Sequence, residues 1–197
     1  MQQYVVARDR FDVVVIPDQS PNAIVRGLGG NYPDSLRGGL GEEGARALAE
    51  FVEKGGTLVS FNAASEYAID ALKLPVRNVL AGVRSTDFYA PGSLLAVELR
   101  RDHPIRRDFF AHTPAVWFEE GPAFQVDDST QATVVASYPA TGNPLLSGWL
   151  LGGAKLNGKA ALVDVKHGAG HVVLFGFRPQ YRGQSLSTYP LLWGALR

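Results

Sequence analysis

The stretch Phe11-Asp12-Val13-Val14-Val15-Ile16-Pro17-Asp18 sets four consecutive apolar β-formers between an aspartate and a proline. A strand with one wet face alternates apolar and polar residues. An unbroken apolar run belongs to a strand covered on both faces, as in parallel sheets, so a central strand is expected here. The next stretch, with Gly27, Gly29, Gly30, Gly38, Gly39 and Gly41, reads as irregular chain. Beyond it Ala45, Leu48, Ala49 and Val52 fall on one helical stripe; Glu42 and Glu43 favour the helix start, and Gly55-Gly56 supply a left-handed stop. Thr57-Leu58-Val59-Ser60-Phe61 reads as a second buried strand, and residues 64–72, with Ala64, Tyr67, Ala68, Ala71 and Leu72 on one side, as a second helix. Strand, helix, strand, helix implies a crossover between parallel strands, and therefore an open α/β sheet.

From residue 75 the pattern changes. Short β-like runs at 94–99, 115–119, 133–138 and 160–165 are separated by Pro and Gly, with no helical stripe between them, so residues 75–165 read as a mostly antiparallel β extension. Ala161–Val165 and Val172–Gly176 flank His167-Gly168-Ala169-Gly170, a hairpin signal. A closing helix is expected from Thr188 to Leu196, with Leu191, Leu192 and Ala195 toward the sheet and Trp193 in the core. The 197 residues fit a single domain. No complete strand-helix unit precedes Phe11, although two-sided burial demands neighbours, so a fragment of a longer polypeptide is expected.

Composition narrows the function. Nineteen basic and 19 acidic residues cancel, which removes the electrostatic footprint of a nucleic-acid binder. The absence of cysteine excludes disulfides, thiolate metal sites and cysteine nucleophiles. No apolar run approaches the roughly 20 residues of a membrane span, and Met1-Gln2-Gln3-Tyr4 does not begin like a signal peptide.

The strand closed by Pro17-Asp18-Gln19, the helix closed by Glu53-Lys54-Gly55-Gly56, and Thr57 to Asn62 turning into a helix together resemble the class I glutamine amidotransferase-like fold, a flavodoxin-like α/β architecture. Three stretches resemble the C-terminal region of bacterial zinc carboxypeptidases of the carboxypeptidase A type: Asn62 to Ile69, Leu146 to Leu150, and Gly170 to Gln184. In the amidotransferases a cysteine at the strand-to-helix elbow attacks glutamine. Here the elbow reads Phe61-Asn62-Ala63-Ala64-Ser65, and neither Asn nor Ala forms an acyl-enzyme. The zinc peptidase His-x-x-Glu pair is also missing, so the resemblance implies that zinc belongs to a separate peptidase domain preceding this one. No cofactor is expected in this chain.

The candidate ligand-binding residues are Asp18, Asn62, Ser65, Arg178 and Arg182. Ser65 is either a hydrolase nucleophile or a hydroxyl bonding backbone N–H groups at a helix start. Arg178 and Arg182 follow a strand end, where ligands of open α/β sheets sit; they hold a carboxylate or sugar acid, or Arg178 pairs with Asp18 or Glu66 as a structural tie. His167 and His171 meet across the hairpin only if its loop has three residues, and two ligands are not a metal site. His103 reads as a loop residue. Segment 117–124, with Trp117 and Phe118 facing opposite ways, is the expected docking surface. The Gly-rich 27–41 stretch lacks the spacing of a phosphate loop and reads as a flap.

The expectation is a non-catalytic accessory domain, an amidotransferase-like pseudoenzyme, of a secreted or periplasmic zinc metallocarboxypeptidase. Its partners would be the upstream peptidase domain and a peptide or glycan. The alternatives are a stand-alone protein that binds a sugar or carboxylate, and a serine hydrolase using Ser65.

Overall fold

The computed structural model describes residues 10–33, 37–107, 114–183 and 186–197. Strand β1 (Val13–Ile16) pairs in parallel with β2 (Thr57–Phe61), joined through helices α1 (Pro21–Arg26) and α2 (Gly41–Glu53). Helix α3 (Ala64–Leu72) leaves β2. After it come β3 (Val76–Asn78), β4 (Ser93–Ala96), β5 (Glu98–Leu99), β6 (Ala115–Phe118), β7 (Phe124–Val126), β8 (Ala132–Ser137) and β9 (Leu145–Ser147). The hairpin of β10 (Ala160–His167) and β11 (Gly170–Phe175) returns to the centre, and α4 (Tyr189–Ala195) closes the fold.

The main sheet runs β1-β2-β11-β10, with β11 parallel to β2 and antiparallel to β10. The far edge of β10 is shared by β8 and, at Ala160, by β7; β5 then pairs with β8 and β3 with β7. A second, antiparallel sheet has the order β6-β4-β9. The architecture is thus α/β, with a mixed central sheet and an antiparallel extension.

Successive residues of the central strands feed two cores. Leu58, Val172, Leu174, Val163 and Val165 pack toward the three helices with Leu48, Phe51, Val52 and Tyr67. Val59, Phe61, Val173, Phe175 and Leu162 pack the other way, against Leu95, Val116, Phe118 and the Leu191 and Leu192 of α4. This is why Val172–Phe175 of β11 reads as an unbroken apolar run and β2 is interrupted only by the buried Ser60. Ser20 caps α1 by accepting the Ala23 N–H at 3.3 Å, with Pro21 in the first helical position.

Two expectations are corrected. Among the described residues β1 pairs only with β2, at the end of the sheet order, and Val15 is 41% exposed, where a central strand covered on both faces was expected. An apolar run shows that a strand is β-prone without showing how many neighbours it has. Trp193 is 54% exposed rather than core, because it lies about 200° around α4 from Leu191, on the side away from the sheet. Among the described residues no helix is long and apolar enough to cross a membrane.

Candidate functional site

Because β1, β2 and β11 are parallel, their carboxyl ends bring three distant residues to one edge. Asp18 lies two residues past β1, Asn62 directly past β2 and Arg178 three past β11. Arg178 Nε donates to Asp18 Oδ2 at 2.5 Å, and its Nη1 donates to Glu119 Oε2. Asp18 Oδ1 accepts the Ala63 N–H at 3.2 Å, and Glu119 Oε2 also accepts from Trp117 Nε1 at 3.2 Å. Burial works to lower the Arg178 pKa, but the hydrogen bonds and charges of Asp18 and Glu119 outweigh it, so the guanidinium holds its proton more tightly than usual. The tie between Arg178 and Asp18 is thus present, and Glu119 takes the place offered to Glu66.

Asn62 occupies the strand-to-helix elbow with φ 50° and 2% exposure. Left-handed backbone is costly for most residues, and Asn is among those that tolerate it. Its backbone N–H donates to Phe175 O at 2.8 Å and its Nδ2 to Glu119 O at 3.2 Å, while Oδ1 is buried without a partner. Ser65 does not reach this edge. It is fully buried, and its hydroxyl lies 2.9 Å from Phe175 O and 3.1 Å from Ser60 O, donating to main-chain carbonyls rather than receiving N–H groups. A hydroxyl so enclosed has no path to a substrate.

Tyr181 roofs the edge. Its ring stacks on Trp117 with centroids 5.2 Å apart and an 18° tilt, and the guanidiniums of Arg178 and Arg182 lie 4.9 and 5.4 Å from its centroid. Arg182 therefore stands at the exposed rim, with φ 50°. Segment 117–124 is not an open docking surface: Phe118 and Phe124 are buried and Trp117 lies against Tyr181. Exposed aromatics lie elsewhere, at Tyr89 and Trp149 (41% and 63%) and at Phe11, Tyr32 and Trp193.

Beside the elbow opens a cavity of about 360 Å³, lined among others by Glu66, Asn78, Ser85, Tyr89, Glu120 and Gly121. Asn78 Nδ2 donates to Glu66 Oε1 at 2.6 Å, while its Oδ1 accepts the N–H groups of Leu80 and Ala123. Sequence reasoning missed Glu66, Asn78, Glu119 and Glu120 as site residues. The signal was the acidic pair Glu119-Glu120 ahead of Gly121-Pro122, where a β-like run ends.

The histidines do not converge on a metal. The hairpin turn is Gly168-Ala169, two residues long, so His167 pairs with Gly170 and His171 with Lys166. His171 Nδ1 lies 2.9 Å from Asp164 Oδ1, and His103 Nε2 lies 3.3 Å from Asp164 Oδ2. His103 is therefore more than a loop residue; it also caps a short turn by accepting the Ile105 N–H. His112 lies outside the described residues, among which no group of three or more His, Asp or Glu could hold a metal. Residues 34–36 of the Gly-rich stretch are also outside them. The rest of that loop is pinched at its base, where a Cβ on Gly27 would meet the Gly38 backbone at 2.1 Å, and it packs beside Ile16 and Ile24.

No protein-family model matches the sequence, and no curated protein matches it. Solved structures do. A cytoplasmic protein from Salmonella typhimurium aligns over 96% of this chain and 72% of its own, with 18% identity and a TM-score of 0.55. A GMP synthase-like protein from Thermoplasma acidophilum aligns over 98% and 76%, with 9% identity and a TM-score of 0.55. The chain has the class I glutamine amidotransferase-like fold. A ThuA-like protein from Bacteroides uniformis shares it over 98% of this chain and 74% of its own, at 12% identity and a TM-score of 0.50. A β-galactosidase from Bacillus circulans carries a similar unit in 23% of its length, at 14% identity and a TM-score of 0.54. At such identities the likeness is one of amidotransferase-like architecture, and chemistry has to be argued from the site.

Proposed function

We propose that this chain is a non-catalytic module of the amidotransferase-like fold that binds a small polar ligand at the carboxyl edge of its parallel strands. The observation that supports this is Asn62 at the elbow. An amide offers no nucleophile where the resembled enzymes hold a thiol, and the neighbouring charges are engaged with one another as Asp18–Arg178–Glu119. The edge keeps an open cavity beside the elbow, which a purely structural unit has no need to preserve. The setting in a secreted zinc carboxypeptidase, with the metal in a preceding domain, belongs to the same proposal and rests on the resemblance of residues 62–69, 146–150 and 170–184 alone.

The test is glutamine hydrolysis followed by ammonia release, on the natural chain and on Asn62→Cys. Neither is expected to release ammonia, because among the described residues the elbow has no histidine base hydrogen-bonded beside it. Enzyme-like turnover by the natural chain overturns the proposal. A fluorophosphonate probe addresses the alternative of a serine hydrolase, and no labelling of the enclosed Ser65 is expected.

A further inference from the structure

We propose that the face formed by Tyr89, Leu146, Trp149 and Leu151 is a two-fold dimer interface whose partner is a second copy of this chain.

Tyr89 and Leu151 form an antiparallel bridge, exchanging main-chain hydrogen bonds of 3.2 and 2.9 Å, so their side chains leave the same face. Trp149, two residues before Leu151, is turned to that face as well, while Leu150 between them packs against the core. Leu146 lies where the register of β9 against β4 shifts, and it too points outward. Tyr89 and Leu151 are each 41% exposed, Leu146 50% and Trp149 63%. This is not loose chain. Ser93 Oγ donates to Trp149 O at 2.6 Å and accepts the Trp149 N–H at 3.0 Å, and a Cβ on Gly148 would lie 2.7 Å from the same Oγ. An exposed tryptophan on backbone already fixed loses little freedom when it is covered, and tryptophan is among the commonest anchors of an interface.

Charge selects the occupant. Charged residues make up 19% of the chain, yet residues 88–97 and 129–154, which build this face, hold no Asp, Glu, Lys, Arg or His. Charge stands only at the rim, in the Arg84–Asp87 pair at 3.0 Å and in Lys155. A partner of different sequence is selected by complementary charge, and this face offers none. Across a two-fold axis the same patch meets itself, an arrangement in which charges repel and an uncharged face does not. A sugar requires hydrogen-bonding side chains around its ring, whereas Ser93 and Asn143 are engaged by the main chain and two of the four exposed groups are leucines. The four side chains expose on the order of 400 Å² of apolar surface, the size at which a patch marks an interaction site. That is about half of the roughly 800 Å² per subunit of a standard interface, which sets the expected affinity in the micromolar range.

Sedimentation equilibrium of the full chain from about 1 to about 300 µM, spanning micromolar affinity, tests the proposal. The natural chain is expected to pass reversibly from monomer to dimer and no further. Trp149→Ser is expected to weaken the dimer at least about tenfold and, because its side chain faces solvent, to melt with the natural chain in dilute solution. Leu146→Ser reads the same face independently and is expected to weaken the dimer by less. Trp193→Ser removes an equally exposed ring from α4, which packs over the opposite end of the sheet beside Thr57 and His171, and it is expected to dimerise like the natural chain. A natural chain that stays monomeric throughout gives the face to another occupant and overturns the proposal. So does a mass that grows past the dimer, or a dimer that survives Trp149→Ser and Leu146→Ser unchanged.

Discussion

At the residue scale, the elbow is held by contacts that tolerate little change. Gly121 has no positive φ to explain it; the constraint is space. A Cβ there would lie 2.2 Å from Asn62 Oδ1 and 2.5 Å from the Gly176 carbonyl. The carbonyl belongs to the backbone just past β11 and cannot turn aside. Gly121→Ala is therefore expected to lower stability by about 1–3 kcal/mol, the range for overpacked sites, with a matching shift of the urea midpoint. Wild-type stability in that variant would show that the loop yields freely. Arg178 provides the electrostatic counterpart. Removing it leaves Asp18 and Glu119 without their cation, and a fully buried pair broken this way costs about 3–5 kcal/mol. Here the three side chains retain 22%, 21% and 28% exposure, so solvent screening reduces the expected cost of Arg178→Ala to roughly 1–2 kcal/mol. Chemical denaturation checks it, and Arg178→Lys should recover only part, since one ammonium does not reproduce the fork.

At the element scale, helix ends carry the clearest signals and one clear defect. Helix α3 ends on Lys73 at φ 52°, an exposed position where glycine enters left-handed backbone without penalty. Lys73→Gly is expected to raise stability by roughly 0.5–1 kcal/mol, read as a higher thermal midpoint; an unchanged or lower midpoint would mean that the lysine stem contributes more than its backbone strain. The elements with a strong periodic or unbroken apolar pattern were legible in sequence: β2, α2, α3 and the β10–β11 hairpin lie where the residues place them. Helix α1 was hidden because six residues make too short a stripe, and β3, β7 and β9 because three residues make no alternation. That β1 pairs only with β2 among the described residues was hidden for another reason: the number of neighbours is a property of the sheet. The same limit governs the site. Asp18, Asn62 and Arg178 follow strands and could be anticipated, whereas Glu119 reaches Arg178 across 59 positions of sequence, through an irregular extension whose path no local pattern reveals.

At the scale of the whole molecule, the central sheet separates two cores, and each encloses a tyrosine hydroxyl without a hydrogen-bond partner. Tyr67 lies on the helical side at 4% exposure and Tyr138 on the opposite side at 1%. Burial raises both phenols above their ordinary value of 10.0, Tyr138 the more strongly. The sign of the pH effect follows. Below about pH 10 both phenols are neutral folded or unfolded, and they make no pH-dependent difference. As the pH rises past that value the unfolded chain releases their protons while the folded chain keeps them, so stability is progressively lost. The fold should therefore weaken on the alkaline side through its interior. Tyr138→Phe removes an orphan hydroxyl, so it is expected to be neutral or to gain up to about 1 kcal/mol at pH 7, and to flatten the loss above about pH 10. Urea denaturation from about pH 7 to about pH 11, spanning the phenol range, on the natural chain, Tyr138→Phe and Tyr67→Phe measures both effects. The largest flattening should come from Tyr138, because its burial is the more complete, and an alkaline slope unchanged in both variants would place the sensitivity in other groups.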